Sequence, residues 1–212
     1  EHEVEVYFEA SPRWALDQPY QQSASKGYEA DGLLYLKSGS KEQNILAKQG
    51  DDLRIDWGYF YMVAGKENTA YSVGNSTELR KNFVNGTLNS ASLEGEDSNG
   101  NMALVRSHGK VKNVTDKIML GYDDIYSIQY FGTNLRPYWN SKGDRTIEAE
   151  MLAAYNEYDK LLARCYAFDK KLMEDASAAG GKEYAELCAL AYRQSIAAHK
   201  LVEAPNGDLL WL

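Results

Sequence analysis

The feature that most constrains this chain is a change of hydrophobic period at Asp144. Ahead of it apolar residues recur at every second position, as on a half-buried strand; behind it they recur every three or four, as on one face of a helix. No single element type satisfies both patterns, which predicts an α+β chain with a β part followed by a helical part. In the β part Glu3-Val-Glu-Val-Tyr-Phe-Glu9 alternates strictly. Leu53, Ile55, Trp57, Tyr59, Tyr61 and Val63 fall on one strand face, opposite Arg54, Asp56 and Gly58, which predicts a sheet buried on one side. Further extended runs cover 33–37, 68–73, 102–106 and 117–122, separated by turn formers such as Lys37-Ser-Gly-Ser-Lys41. Short antiparallel strands of this kind predict a β-sandwich over residues 1–139.

Pro137 and Asn140-Ser-Lys-Gly-Asp144 interrupt the strands, and Asp144 is the expected N-cap of a helix over 145–179. Its apolar ladder is Ile147, Met151, Tyr155, Tyr158, Leu162, Cys165, Phe168 and Leu172. Gly180-Gly181 turns the chain into a second helix over 182–203, with Tyr184, Leu187, Cys188, Ala191, Ser195 and Ala198 on its inner side and Pro205-Asn206-Gly207 closing it. One αα-hairpin cannot bury two amphipathic faces. More helices are therefore expected beyond Leu212, and self-association through the exposed helical surface is expected of this chain alone. The strand that starts at once and the apolar Leu209-Leu-Trp-Leu212 both read as severed ends. The expected organisation is an N-terminally truncated β-sandwich in 1–139 and a C-terminally truncated first helical hairpin in 140–212.

The 212 residues carry a formal charge of −8, which opposes binding to a phosphate backbone, so no nucleic-acid partner is expected. No apolar run reaches the roughly 18–20 residues of a membrane-spanning helix. Residues 1–20 lack a basic region followed by an apolar one, so an export signal would lie upstream or have been removed. In the hairpin Cys165 falls fifteen residues before the turn and Cys188 seven after it. That axial offset of roughly 12 Å exceeds the about 4.4–6.8 Å of a bridged pair, and both are read as buried free thiols.

Strong local motifs are lacking: no phosphate-cradling glycine loop, no Cys-x-x-Cys, no Gly-x-Ser-x-Gly. His2, His108 and His199 are scattered, no metal is expected, and nothing calls for a cofactor. The most suggestive acids are Asp123 and Asp124, set among aromatics in Tyr122-Asp-Asp-Ile-Tyr126; they are the candidate catalytic pair, for proton transfer or for holding substrate. The alternative is a strand end whose aspartates bond backbone amides and an arginine such as Arg136. Asp51, Asp52 and Asp56 are read as turn chemistry before a strand. Sixteen tyrosines and four tryptophans could offer stacking faces for sugar rings, though packing accounts for most of them. Tyr126, Trp139 and Arg193 are the candidate substrate-binding residues, for a small molecule that is glutamine or a glycan. Sequons at Asn75, Asn85 and Asn113 mark turns.

Three runs carry a resemblance: Lys48-Gln-Gly-Asp-Asp-Leu-Arg-Ile-Asp-Trp-Gly-Tyr59, Leu120-Gly-Tyr-Asp-Asp-Ile-Tyr-Ser-Ile-Gln-Tyr-Phe131 and Ala189-Leu-Ala-Tyr-Arg-Gln-Ser-Ile-Ala-Ala-His-Lys200. Together they resemble the glutaminase A family, in a bacterial-type member. The resemblance implies a β-sandwich joined to a helical domain of the six-hairpin (α/α)6 toroid type, in a secreted or periplasmic hydrolase that releases ammonia from glutamine. Toroids behind β-sandwiches also resemble glycoside hydrolases, which is the second reading. The third is a non-catalytic sandwich that binds a glycan or a protein. The resemblance assigns no catalytic residue.

Overall fold

A computed structural model describes residues 1–50 and 54–212, so the readings made for Asp51, Asp52 and Leu53 lie outside the described residues. Packing divides the chain into two units, Glu1–Tyr126 and Ser127–Leu212. The segment just before Trp139 thus groups with the helices, ahead of the Trp139/Asn140 boundary expected from the period. The architecture is α+β, with antiparallel sheets and three α-helices among the described residues.

In the first unit β1 (His2–Ala10), β7 (Asn101–Val111) and β5 (Thr69–Gly74) form one sheet in the order β1-β7-β5. β2 (Ser23–Ala30), β3 (Leu33–Ser40), β4 (Tyr59–Gly65), β6 (Glu94–Glu96) and β8 (Met119–Asp123) form the other, in the order β6-β2-β3-β4-β8. Leu34, Leu36, Phe60 and Met62 from the larger sheet meet Tyr71, Val73, Met102 and Leu104 from the smaller in one core. Asp31-Gly32 closes the β2-β3 hairpin with φ of +50° and +80°, the left-handed pair that matches strand twist. One helix interrupts the strands, α1 (Ser76–Val84), with the Asn75 side chain accepting from the Thr77 N–H at 3.0 Å as its N-cap.

The expectation of a one-sided sheet is corrected at β4. Phe60 and Met62 line the shared core, while Tyr61 and Val63 on the opposite face are buried too. Tyr59-Phe-Tyr-Met-Val-Ala-Gly65 is an unbroken run with few polar residues, the signature of a strand buried on both faces. The strand begins only at Tyr59, so Asp56 and Trp57 precede it, and both are buried.

The second unit opens with a hairpin of β9 (Ile128–Tyr130) and β10 (Thr133–Leu135), followed by helices α2 (Ile147–Asn156) and α3 (Tyr158–Ala198). Thr146, not Asp144, is the N-cap of α2, its hydroxyl accepting from Ala149 N–H at 3.3 Å. The expected single helix over 145–179 is interrupted at Glu157, where the backbone leaves helical geometry (φ −95°, ψ 9°). α3 is itself broken at Gly181, whose φ of +84° with ψ of −177° is open to glycine and strained for other residues. The break reverses the chain. Phe168 and Tyr192 meet at 5.1 Å between ring centroids although a straight helix would separate them by about 36 Å.

Three further corrections concern this hairpin. The second arm turns Ala185, Ala189, Tyr192 and Ile196 toward the first, leaving Leu187 61% exposed, so its inner face is rotated from the one expected. The arm carries apolar residues around most of its circumference, and helical spacing alone does not choose among them. The helix also ends at Ala198: residues Leu201–Glu203 form β11, paired with β12 (Leu209–Trp211) across a turn with Gly207 at φ +90°. Both cysteines are unpaired, as expected, but Cys165 is exposed on the wall of the open groove between the arms and Cys188 is only half-buried.

Candidate functional site

The acids of Tyr122-Asp-Asp-Ile-Tyr126 lie at the end of β8, where the chain is locked against the segment before β4. The buried Trp57 indole N–H donates to the Asp124 carbonyl at 2.7 Å and to the Tyr126 carbonyl at 3.0 Å. In return the Tyr122 hydroxyl donates to the Trp57 carbonyl at 2.5 Å. Burial, and then the negative charges of Asp124, Asp56 and Asp123, push the Tyr122 phenol far up, so it remains a protonated donor. Gly58, at φ +83°, sits so close that a Cβ would collide with the Asp123 carbonyl. Gln43 holds that glycine by accepting from its N–H at 2.5 Å.

Within this corner the two candidate acids have different surroundings. Asp123 Oδ1 accepts from the Ile125 N–H at 3.0 Å, an Asx turn that supports the left-handed φ of +59° at Ile125. Asp124 is 4% exposed. A carboxylate working as a general acid or base has to reach the substrate proton within hydrogen-bond distance, directly or through one water.

A second acidic pair lies in the same unit and was not singled out as a site from the sequence. Lys48 Nζ stands 2.7 Å from Asp17 Oδ2 and 2.7 Å from Asp56 Oδ2, bridging carboxylates 39 positions apart in the chain. Gln21 Nε2 adds a bond to Asp56 Oδ2 at 3.1 Å. Hydrogen bonds to Asp17 and then Asp56 raise the Lys48 pKa, so it stays charged, and the bond from Lys48 holds Asp17 below the usual carboxylate range. Among the described residues, the buried Oδ1 of each aspartate has no hydrogen-bond partner. The turn reading of Asp56 is thereby replaced by an ion-pair reading; no local signal ties Asp17 to Asp56, since Lys48 links them only through the fold. Among the described residues no group of three or more His, Cys, Asp or Glu side chains is placed to hold a metal ion.

Asp123, Asp124 and Tyr126 are thus neighbours in the first unit. Trp139 and Arg193 belong to the second. Trp139 is half-buried in a 3-10 turn (Tyr138–Asn140), and its carbonyl accepts from Arg145 Nη1 at 3.5 Å. Exposed Arg193 borders a groove of about 1140 Å3 between the arms of α3, walled by Leu161, Phe168, Leu172, Tyr192 and Ile196.

Residues 1–175 match a family described as a domain of unknown function, DUF5127. The chain belongs to that family. This DUF5127 member is also 25% identical over 228 residues to Glutaminase A of Aspergillus oryzae. The alignment takes in 100% of this chain and 32% of that protein, so the chain spans about a third of the length of the curated relative it matches. No solved structure matches. No helix among the described residues is long and apolar enough to cross a membrane.

Proposed function

We propose that this DUF5127 chain is the β-rich part and first helical hairpin of a secreted or periplasmic glutaminase-like amidohydrolase. The observation that carries the reading is the similarity to Glutaminase A along the whole chain. In this reading further helices of the parent pack on the exposed hairpin and complete an (α/α)6 toroid. Water attacks the carboxamide carbon of glutamine, one carboxylate removing the water proton and another acid protonating the departing ammonia. No step needs a cofactor.

The test is ammonia release by the full-length parent given glutamine, beside reducing-sugar release from a glycan panel. Ammonia at a rate that saturates with glutamine is expected; sugar release without ammonia would replace the amidohydrolase reading by the glycoside hydrolase one. A separate proposal makes Asp123 and Asp124 the catalytic pair. Asp123→Asn and Asp124→Asn in the parent should each lower turnover at least tenfold with folding intact, and normal turnover in both would leave the pair a structural element of the Trp57 corner.

A further inference from the structure

One end of the sandwich carries a cleft that neither the acidic corner nor the hairpin explains. It has a volume of about 370 Å3, toward the small end of the roughly 300–1,000 Å3 typical of small-molecule sites. All its lining residues belong to the first unit.

Three segments converge on it, and each is fixed from within. The first is the 3-10 turn Pro12–Ala15, where Ser11 Oγ accepts from the Arg13 N–H at 3.2 Å. The second is the turn before β2, where Gln21 Oε1 accepts from the N–H groups of Asp17 and Gln18 at 2.8 Å each. The third follows β6, where Asp97 adopts φ +49°, uncommon for a non-glycine residue. Asp97 Oδ1 accepts from the Ser23 N–H at 2.8 Å, and Asn101 Nδ2 donates to the Ser98 carbonyl at 3.0 Å. Strain held in place by such bonds is a recurrent property of ligand-binding loops.

The lining combines planar polar groups with an aromatic face. Among the described residues the Arg13 guanidinium and the Gln22 carboxamide make no hydrogen bond or ion pair, although both border the cleft. Ser23, also in the lining, has a buried hydroxyl with no hydrogen-bond partner among the described residues. The lining holds one cation, Arg13, and one anion, Asp97, so the cleft has no net charge to select an ion. Tyr20 stands at the rim with 80% of its surface exposed, directly after Pro19, which stiffens the backbone that carries it. A large aromatic left open beside unengaged planar donors and acceptors is suited to a ligand with an apolar face and polar edges.

From this geometry we infer that the cleft binds a neutral saccharide, a mono- or disaccharide unit whose ring face stacks on Tyr20 while its hydroxyls bond Arg13, Gln22, Asp97 and Asn101. A sugar ring presents C–H groups on one face and hydroxyls at its edge, which matches that division of the lining. The inference stands apart from the amidohydrolase reading and holds whether or not the parent hydrolyses glutamine.

The experiment is saturation-transfer NMR on the 212-residue chain with cellobiose, maltose, mannobiose and chitobiose, and with free glutamine as a zwitterionic comparator. At least one disaccharide should show transfer at about 10 mM, with affinity in the millimolar range. Tyr20→Ala and Gln22→Ala, both at exposed positions, should each weaken that binding at least tenfold while thermal unfolding stays unchanged. The inference is overturned if no disaccharide shows transfer, if glutamine binds and the sugars do not, or if both variants bind like the parent chain.

Discussion

The Trp57 indole N–H lies 2.7 Å from the Asp124 carbonyl, joining the segment before β4 to the end of β8 across 67 positions of sequence. Trp57→Phe keeps an aromatic ring there and removes the donor, leaving two carbonyls without it. A loss of about 1–3 kcal/mol in urea unfolding is expected. Gly58→Ala should cost more, because it adds a collision with the Asp123 carbonyl to a left-handed φ. An unchanged urea midpoint in both variants would show that this corner does not hold the acids in place.

Arg106 is the most heavily engaged side chain of the smaller sheet. It meets Asp116 through Nε at 2.6 Å and Nη2 at 3.0 Å, and through Nη1 it reaches the Gly65 carbonyl at 2.6 Å and Thr69 Oγ1 at 2.5 Å. Among the described residues, Arg106→Met takes the guanidinium from the Asp116 carboxylate, which keeps only the Lys117 N–H as a hydrogen-bond donor, and from the Gly65 carbonyl, which keeps only the Thr69 hydroxyl. The expected loss is on the order of 3 kcal/mol, read by chemical denaturation, whereas Lys110→Met on the exposed end of the same strand should be near neutral.

The hydrogen bond from Lys142 holds Glu203 below the usual carboxylate range, as that from Lys48 does for Asp17. A carboxylate with a lowered folded pKa adds stability above its unfolded value, and that stability disappears as pH falls through the folded value. Melting temperature should therefore stay level from neutral pH to the ordinary carboxylate range, near about 4, and fall below it. Lys142→Met should lower the neutral plateau and make the acid decline shallower. A parallel displacement of the whole curve, with the acid slope kept, would show that Glu203 does not contribute through this linkage.

Gly181 makes the hairpin. Gly181→Val places a β-branched residue at φ +84°, which costs on the order of 1–3 kcal/mol or forces the arms to straighten. Ring-to-ring NOEs between Phe168 and Tyr192 report the hairpin directly. They should weaken or vanish in Gly181→Val and persist in Lys182→Ala; full-strength NOEs with an unchanged melting temperature in Gly181→Val would contradict the backbone argument.

Leu187 and Leu190 are 61% and 53% exposed on the second arm, and apolar surface of this extent favours association. Light scattering of the 212-residue chain at micromolar concentration should give a mass above that of the monomer, and Leu187→Glu with Leu190→Glu should restore the monomer. A monomeric parent chain would refute this. The same samples should titrate two free thiols, with the exposed Cys165 reacting faster than Cys188.

Several features were legible in local pattern alone. The change of period placed strands before helices, the extended runs near Leu33, Met102 and Leu120 became β3, β7 and β8, and Gly180-Gly181 marked the reversal that keeps Cys165 and Cys188 apart. Such signals act within one turn or a few strand residues, so the chain carries them wherever it packs. What needed the tertiary structure was the choice among apolar faces and the pairing of distant charges. Met62 and Val63 are both apolar and both buried, and only the facing sheet makes the first a member of the shared core. Tyr192 rather than Leu187 faces the first arm because the backbone angles at Gly181 set the rotation of the second. Asp17, Lys48 and Asp56 form one network because the segment before β2 meets the connection between β3 and β4, and Arg13, Ser23 and Asp97 border one cleft because three segments distant in sequence converge there. Periodicity states which surfaces are to be buried; contacts between residues far apart in sequence decide against what.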